Sequence, residues 1–264
     1  MPIDIVGGTS QGAYIGGLLA RYPDDIDQLY KAAREMSHDM SSVSNKLADM
    51  TFPVTSYFSG YYFNRCIKES FGNLHIQDFL LQFFCVSVDM VGCEQIVHTK
   101  GLAWKYVRAS MTLVGYLPPI SENNRLLVDG GYMNVLPADV MSEMKAKHVI
   151  AVHVGKERTK EYYEYGTELS GLWLLYNSWN PFVQTVKVPS MGDISRSLAF
   201  VSSERTMESV IQNNVDLFLR PPVSHFATLE YDRFDEIERT GYEYSKPRIE
   251  EWARENHFGK YRRE

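Results

Sequence analysis

One short stretch near the amino terminus constrains the fold of this chain more than any other part of the sequence. A G-x-S-x-G motif is formed there by Gly8, Thr9, Ser10, Gln11 and Gly12. The apolar residues Ile3, Ile5 and Val6 precede the motif, and residues 13–20 continue after it in a helical pattern. A strand, a tight turn and a helix in this order are typical of a nucleophile elbow, which holds a serine on a strained turn with its Oγ exposed. We therefore predict an elbow over residues 3–20 with Ser10 as the nucleophile.

The two glycines of the motif account for its spacing. The end of the strand and the start of the helix approach each other in an elbow, so we expect neither Gly8 nor Gly12 to tolerate a side chain. The amino-terminal end of the helix also carries a partial positive charge, which favours negative charge developing near Ser10. The alternative is a plain glycine-rich turn that packs a helix onto a sheet, and it is favoured only if no base for Ser10 follows downstream.

Length and composition narrow the class of protein. The chain has 264 residues, of which 44% are hydrophobic and 23% charged, enough for one large α/β domain or two small ones. Its net charge of −6 argues against nucleic acid as a partner, because phosphate binding requires a positive surface. Cys66, Cys85 and Cys93 lack metal-ligand spacing, which predicts reduced thiols, no metal and no cofactor. No apolar run reaches the ~18 residues that a membrane-spanning helix needs.

The order of the predicted elements indicates the fold class. An apolar run at residues 126–128 predicts a short strand, Pro137 begins a helix, and residues 148–154 form a near-continuous apolar strand. This order within residues 126–155 predicts a βαβ unit and a mainly parallel central sheet with helices on both faces. The prediction is therefore an α/β fold with three α/β/α layers, in a single domain over residues 1–264.

Two apolar segments follow in the carboxyl-terminal half. The first is a candidate either for an acyl-chain groove or for ordinary core packing, and consists of Leu172, Trp173, Leu174, Leu175 and Trp179. The second belongs to a helical part over residues 193–264, in which Asp193 is positioned to cap a long helix extending to about Gln212. The predicted buried stripe of that helix consists of Ile194, Leu198, Val201 and Val210.

Asp129 is the best candidate for the base that Ser10 requires. It directly follows the apolar run at residues 126–128 and precedes Gly130 and Gly131. A carboxylate at the carboxyl end of a parallel strand faces the same rim of the sheet as a nucleophile elbow. The two glycines let the backbone turn sharply without crowding the nucleophile. An Asp-Gly turn or a helix cap is the alternative, and it is the commoner use of such a pair.

Further stretches accompany the elbow and Asp129-Gly130-Gly131. They are residues 51–56 (TFPVTS), 108–112 (RASMT), 115–119 (GYLPP), 129–132 (DGGY), 136–139 (LPAD), 179–182 (WNPF), 187–189 (KVP) and 219–222 (LRPP). Together they resemble patatin-like phospholipases, and most closely the neuropathy target esterase group. The likeness covers nearly the whole chain and is far more specific than the five-residue elbow motif alone.

The resemblance implies a function and a site. It implies a patatin-like fold in which Ser10 is the nucleophile and Asp129 the general base of a Ser–Asp dyad that needs no histidine. It further implies that the enzyme cleaves acyl esters of lysophospholipids in lipid degradation, contacts a membrane surface peripherally, and lies at the cytosolic face of the endoplasmic reticulum. The substrate would be a phospholipid or a lysophospholipid.

One departure from the family pattern concerns the oxyanion hole. The family has a strand and a glycine-rich loop a few tens of residues before the elbow, and the loop donates N–H groups to the oxyanion. Here only nine residues precede Ser10. We therefore expect an amino-terminally truncated patatin-like domain, part of a longer protein, in which the Gln11 N–H is the remaining candidate donor.

The predicted chemistry is acyl transfer in two steps, with two alternatives. Burial beside Val128 and an acyl chain is expected to raise the pKa of Asp129 toward the range of a useful base. The first alternative is an α/β-hydrolase triad in which a histidine after Asp129 serves as base. Its candidates are His148, His153 and His225. The second is a catalytically impaired chain that binds lipid or acts as a scaffold.

Overall fold

In a computed structural model of the protein, the structure describes residues 2–155, 164–179, 188–189, 191–226 and 230–258. The strands within these ranges are β1 (Ile5–Thr9), β2 (Gln82–Asp89), β3 (Glu94–His98), β4 (Ile120–Glu122), β5 (Arg125–Asp129), β6 (Ile150–Val152) and β7 (Leu217–Leu219). The helices are α1 (Gln11–Arg21), α2 (Ile26–Ser41), α3 (Val43–Ala48), α4 (Tyr61–Phe71), α5 (Ala103–Ser110), α6 (Ala138–Glu143), α7 (Gly171–Trp179), α8 (Met191–Asn214) and α9 (Phe234–Glu255). Parts of the quoted stretches 179–182 and 187–189, and residues 259–264, lie outside the described residues.

The registers of β2 explain how two distant parts of the chain come together. Cys85 and Val86 pair with both β1 and β3, so β1 and β3 lie on opposite edges of β2. Residues 87–89 pair with both β3 and β5, so β5 lies on the same edge as β1. Because β1 is parallel to β2 and β5 antiparallel, the two strands run toward each other along this edge. Their carboxyl ends therefore meet where Val86 pairs with Thr9 and Ser87 pairs with Asp129.

The predicted mainly parallel sheet is wrong for the described strands. In the five-stranded sheet only β1 and β2 pair in parallel, and β6 pairs with β7 in a separate parallel pair. The direction of β5 is set by a two-residue loop from β4, where Asn123 and Asn124 have φ of 48° and 62°. Positive φ at both loop residues is the geometry of a type I′ hairpin. An apolar run indicates that a strand is buried on both faces but does not indicate its direction. The prediction of mainly parallel pairing failed for this reason.

The α/β class and the covering of both sheet faces are confirmed. Alternate side chains of β2 enter two different clusters, as expected for a strand. Phe83 and Cys85 belong to the core formed with α1, α2, α4 and α5. Phe84 and Val86 pack on the opposite face against Val140 of α6. Helices therefore lie on both sides of the sheet, as in a three-layer α/β/α arrangement.

The long helix α8 departs from its prediction. It begins at Met191, so Asp193 lies inside the first turn and is not its cap. Ile194, Leu198 and Val201 are exposed, and only Val210 of the predicted stripe is half-buried. The helix contacts the rest of the molecule through a different face, where the buried Ser203 hydroxyl accepts a hydrogen bond from the Val135 N–H at 2.9 Å. No helix in the described part of the chain is long and apolar enough to cross a membrane.

Candidate active site

Ser10 has the strained backbone expected of an elbow. It lies between β1 and α1 with φ of 56° and ψ of −123°, a conformation that residues other than glycine rarely adopt. Such a conformation costs about 1–3 kcal/mol and persists only where the surrounding structure imposes it. The Ser10 carbonyl accepts a hydrogen bond from the Ala13 N–H at 2.9 Å, which starts helix α1 immediately after the turn.

Only one of the two motif glycines has a steric reason to be glycine. A Cβ at Gly8 would lie 2.3 Å from the backbone carbonyl of Gly12, far inside van der Waals contact. A Cβ at Gly12 would meet no atom of the described residues within 4 Å, because this position is exposed on the first turn of α1. The prediction that both positions must lack a side chain therefore holds for Gly8 and is wrong for Gly12.

Asp129 lies at the point where β5 meets the elbow, and its side chain is almost completely buried, with 1% exposed. Burial raises the pKa of Asp129 to about 6, although hydrogen bonds from the Ser10 hydroxyl and the Gly131 N–H oppose the rise. The Gly131 N–H donates to Oδ1 at 2.8 Å. No charged group among the described residues contributes to this pKa. The carboxylate is therefore ionised at neutral pH and lies close enough to the Ser10 hydroxyl for that hydroxyl to lower its pKa.

The two glycines after Asp129 allow this close approach. A Cβ at Gly130 would lie 2.3 Å from the carbonyl oxygen of Val86 on the neighbouring strand. A Cβ at Gly131 would lie 3.1 Å from the Asp129 Oδ1 and 2.8 Å from the ring of Phe200. The backbone could not follow this path with larger residues, which agrees with the role predicted for the pair.

The remaining motif residues, Thr9 and Gln11, attach the elbow to distant parts of the chain. The Thr9 Oγ1 donates a hydrogen bond to the carbonyl of Asn134 at 2.9 Å. The Gln11 Nε2 donates to the Tyr231 hydroxyl at 2.7 Å. Burial raises the pKa of Tyr231 to about 12, so this hydroxyl stays neutral. Sequence reasoning missed Asn134 and Tyr231, because no local pattern signals a contact across more than a hundred residues.

The three candidate histidines are not brought to the pair. The His148 Nδ1 lies 3.9 Å from the Asp216 carboxylate. His153 is buried after β6, and Glu204 and Arg220 are the charges that act on it. His225 is exposed and packs on Phe226, with 4.0 Å between ring centroids. Within the described ranges, no histidine contributes to the pKa of Asp129, so no triad is assembled there.

Two residues of the apolar segment on α7, Leu172 and Leu175, are not in the core, and the side chain of Trp179 lies outside what the structure describes. Leu172 is 80% exposed, and Leu175 and Tyr176 are also exposed, whereas Trp173 and Leu174 are half-buried. Core packing, one of the two predicted uses of this segment, is therefore wrong for Leu172 and Leu175. Their use in an acyl-chain groove remains a prediction.

The chain is similar to known proteins in the region that contains this site. The model of the family described as "Patatin-like phospholipase" matches residues 1–142, which include Ser10 and Asp129. "Lysophospholipase NTE1" of Candida albicans is 42% identical over 258 residues, which are 98% of this chain and 18% of that protein. "Neuropathy target esterase sws" of Drosophila melanogaster is 41% identical over 263 residues, 99% of this chain and 18% of that protein.

A human protein gives a similar result. "Patatin-like phospholipase domain-containing protein 6" of Homo sapiens is 43% identical over 258 residues, which are 97% of this chain and 19% of that protein. The chain thus spans less than a fifth of the length of these three relatives.

Proposed function

The chain belongs to the patatin-like phospholipase family, and on this premise we propose that it is a serine hydrolase that cleaves acyl esters of lysophospholipids such as lysophosphatidylcholine. The proposed catalytic pair is Ser10 as nucleophile and Asp129 as general base. One observation carries the proposal: a serine with a strained backbone lies beside a buried carboxylate whose pKa burial raises to about 6, and the serine hydroxyl acts to lower that pKa. The relatives named lysophospholipase and esterase support the substrate class.

The reaction proceeds by acyl transfer in two steps. The Ser10 Oγ attacks the ester carbonyl while its proton passes to Asp129, and the tetrahedral intermediate expels the glycerophospho alcohol, which takes up that proton. Water then attacks the acyl-enzyme, Asp129 accepts a proton from the water, and the fatty acid leaves as Ser10 is regenerated. A base with a pKa near 6 accepts a proton more readily than an ordinary aspartate and remains ionised at neutral pH.

The negative charge on the ester oxygen needs donors in fixed positions. Our candidate donor within the chain is the N–H of Gln11, in the first turn of α1. The positive end of the helix dipole of α1 adds about 0.3–2 kcal/mol. The position of Gln11 is fixed in two ways: its backbone belongs to helix α1, and its side chain donates a hydrogen bond to the Tyr231 hydroxyl at 2.7 Å.

We further propose that the enzyme works at a membrane surface as a peripheral protein. The uncharged loop at residues 51–59 exposes large apolar side chains, of which Phe52 is 83% and Val54 82% exposed. The Tyr57 N–H of this loop donates to the Gly115 carbonyl at 2.8 Å, and the neighbouring Val114 N–H donates to the hydroxyl of Tyr132 at 2.9 Å, which links the loop to the turn after Asp129. The likeness to the neuropathy target esterase group supports a location at the cytosolic face of the endoplasmic reticulum.

The first experiment replaces the nucleophile. Ser10→Ala should abolish both the hydrolysis of lysophosphatidylcholine and labelling by a fluorophosphonate probe, because among the described residues no other hydroxyl affects the pKa of Asp129. Ser121→Ala, at an exposed serine in β4, is the matched control and should retain both activities.

Two outcomes would contradict the proposal. Turnover retained in folded Ser10→Ala protein would remove Ser10 from the mechanism. A wild-type chain that binds lysophosphatidylcholine vesicles but neither hydrolyses the lipid nor reacts with the probe would instead favour a lipid-binding role.

A further inference from the structure

The carboxyl-terminal turn of α5 contacts both halves of the catalytic pair. The Ser10 N–H donates a hydrogen bond to the Ser110 Oγ at 2.9 Å. The Asp129 N–H donates to the backbone carbonyl of Thr112 at 3.0 Å. Ser110 and Thr112 are both fully buried. Two residues of one turn thus bond to the backbones of the nucleophile and the base, which are more than a hundred positions apart in sequence.

A buried arginine fixes this turn from behind. Arg108 is fully buried, and its Nε donates to the Asn64 Oδ1 at 2.7 Å while its Nη1 donates to the Thr112 Oγ1. The Thr112 Oγ1 in turn donates to the Arg108 carbonyl at 3.0 Å. The Arg108 Nη2 also donates to the Pro118 carbonyl at 3.3 Å. Every acceptor in this set is neutral, so the guanidinium acts as a multiple hydrogen-bond donor that locks the turn.

We infer, on the basis of the proposed function, that Ser110 and Thr112 are positioning residues that hold the nucleophile and the base in register with each other. Neither touches the reacting atoms; each acts through the backbone of a catalytic residue. The strained φ of Ser10 requires such support, because a backbone of this kind persists only where its surroundings impose it. This gives the stretch 108–112, noted in the sequence only for its likeness to the family, a defined physical role.

The decisive variant is Ser110→Ala. It removes the acceptor of the Ser10 N–H and leaves that donor without a partner in a half-buried place. An unsatisfied group of this kind lowers the rate about tenfold to a hundredfold if the whole loss falls on the reacting geometry. We expect kcat for lysophosphatidylcholine to fall by this factor while KM changes less than about threefold, because the substrate-binding surface is untouched.

The matched control is Ser70→Ala. Ser70 is also buried, and its hydroxyl is hydrogen-bonded to the Tyr14 hydroxyl at 2.7 Å, but it lies on α4 and contacts neither catalytic residue. We expect it to lower the thermal unfolding midpoint as much as Ser110→Ala does, with kcat preserved. Equal losses of kcat in the two variants would show that Ser110 acts through stability alone and would overturn the inference.

Thr112 is tested by two variants, one that keeps the shape of the side chain without its hydroxyl and one that keeps the hydroxyl without its methyl group. Thr112→Val removes the hydroxyl that bonds to Arg108, whereas Thr112→Ser keeps it. We expect Thr112→Ser to retain kcat and Thr112→Val to lose about tenfold or more. If Thr112→Val does not fold, the kcat values of Thr112→Ser and Ser110→Ala still test the inference. Retained kcat in Ser110→Ala would overturn it.

Amide hydrogen exchange separates this inference from the proposed function. In folded protein, Ser110→Ala should speed exchange at the Ser10 amide at least about tenfold, since that amide loses its bond, while the Phe84 amide in β2 stays protected. This readout needs no turnover. If the wild-type chain is inactive but shows this exchange pattern, the proposed hydrolase function is refuted and the inference that Ser110 supports Ser10 stands. If exchange at the Ser10 amide is unchanged in Ser110→Ala, that inference is refuted.

Discussion

Asp129 should lower the stability of the protein at the pH where it would act as the proposed base. Its carboxylate is buried with 1% exposed, and burial raises its pKa from 3.8 to about 6. At pH values between 3.8 and about 6, a group whose pKa is higher in the folded state carries more protons in the folded protein than in the unfolded chain. Stability must therefore fall as the pH rises from about 4 to about 6, and stay lower above that.

The magnitude follows from the two pKa values. The difference between 3.8 and about 6 corresponds, at about 1.4 kcal/mol for each pKa unit, to about 3 kcal/mol of unfolding free energy at pH 8. Asp129→Asn has no charge to bury, and its Oδ1 still accepts the Gly131 N–H bond. We expect this variant to be more stable than wild type by up to about 3 kcal/mol at pH 8, narrowing to about 1 kcal/mol at pH 4.5.

The assay is urea unfolding of both proteins at several pH values, with kcat measured in parallel. The variant loses its proton acceptor, so kcat should fall about 10²–10⁴-fold while stability rises. Asp89→Asn is the matched control, because Asp89 is also buried but accepts hydrogen bonds from the N–H groups of Val91 and Leu126 beside Arg125.

The control should have the opposite sign. Although burial opposes it, those bonds and that charge lower the pKa of Asp89, so its ionised form stabilises the folded state above the unfolded pKa. Asp89→Asn should therefore be less stable than wild type at pH 8. If Asp129→Asn is destabilised at pH 8 in the same way, the argument from the buried charge is refuted.

Three further predictions concern the elbow, the base and the histidines. Thermal unfolding tests the two motif glycines. Gly8→Ala should lower the unfolding midpoint sharply because its Cβ would lie 2.3 Å from the Gly12 carbonyl. Gly12→Ala should be neutral or should stabilise α1 by up to about 1 kcal/mol. A plot of kcat/KM against pH should rise through an apparent pKa near 6 as Asp129 loses its proton, and a profile flat from pH 5 to 8 would contradict the assignment of the base. His225→Gln should keep kcat within about threefold, and a loss as complete as that of Ser10→Ala would establish a triad.

The elbow was predictable because everything that defines it is local. Strand β1, the turn at Ser10 and helix α1 occupy one continuous stretch, and their patterns of apolar residues and glycines lie side by side in the sequence. Asp129 was found in the same way, from an apolar run followed by two glycines. Gly8 must lack a side chain, as predicted, but Gly12 need not, because helix α1 turns that position toward solvent.

Contacts made across the chain were not predictable in this way. The meeting of β1 and β5 depends on their opposite directions along β2, and the apolar runs carry no sign of direction. The pair Asn123-Asn124 does carry such a sign, since two adjacent asparagines favour a two-residue hairpin loop with positive φ. The partners Ser110 and Tyr231 have no local signal, because each is chosen by the folded structure alone.

The unfavourable features of this site are concentrated in the two residues that the proposed chemistry needs. Ser10 has a strained backbone, and Asp129 has a buried charge with no cation among the described residues to offset it. The backbone N–H of each donates one hydrogen bond to the end of α5, that of Ser10 to the Ser110 Oγ and that of Asp129 to the Thr112 carbonyl. Substitutions should therefore divide into two kinds. Asp129→Asn removes the unfavourable charge, so this variant gains stability as it loses activity. Ser110→Ala removes a supporting hydrogen bond, so this variant loses both stability and activity. The sign of the stability change therefore distinguishes a catalytic residue from the residue that positions it.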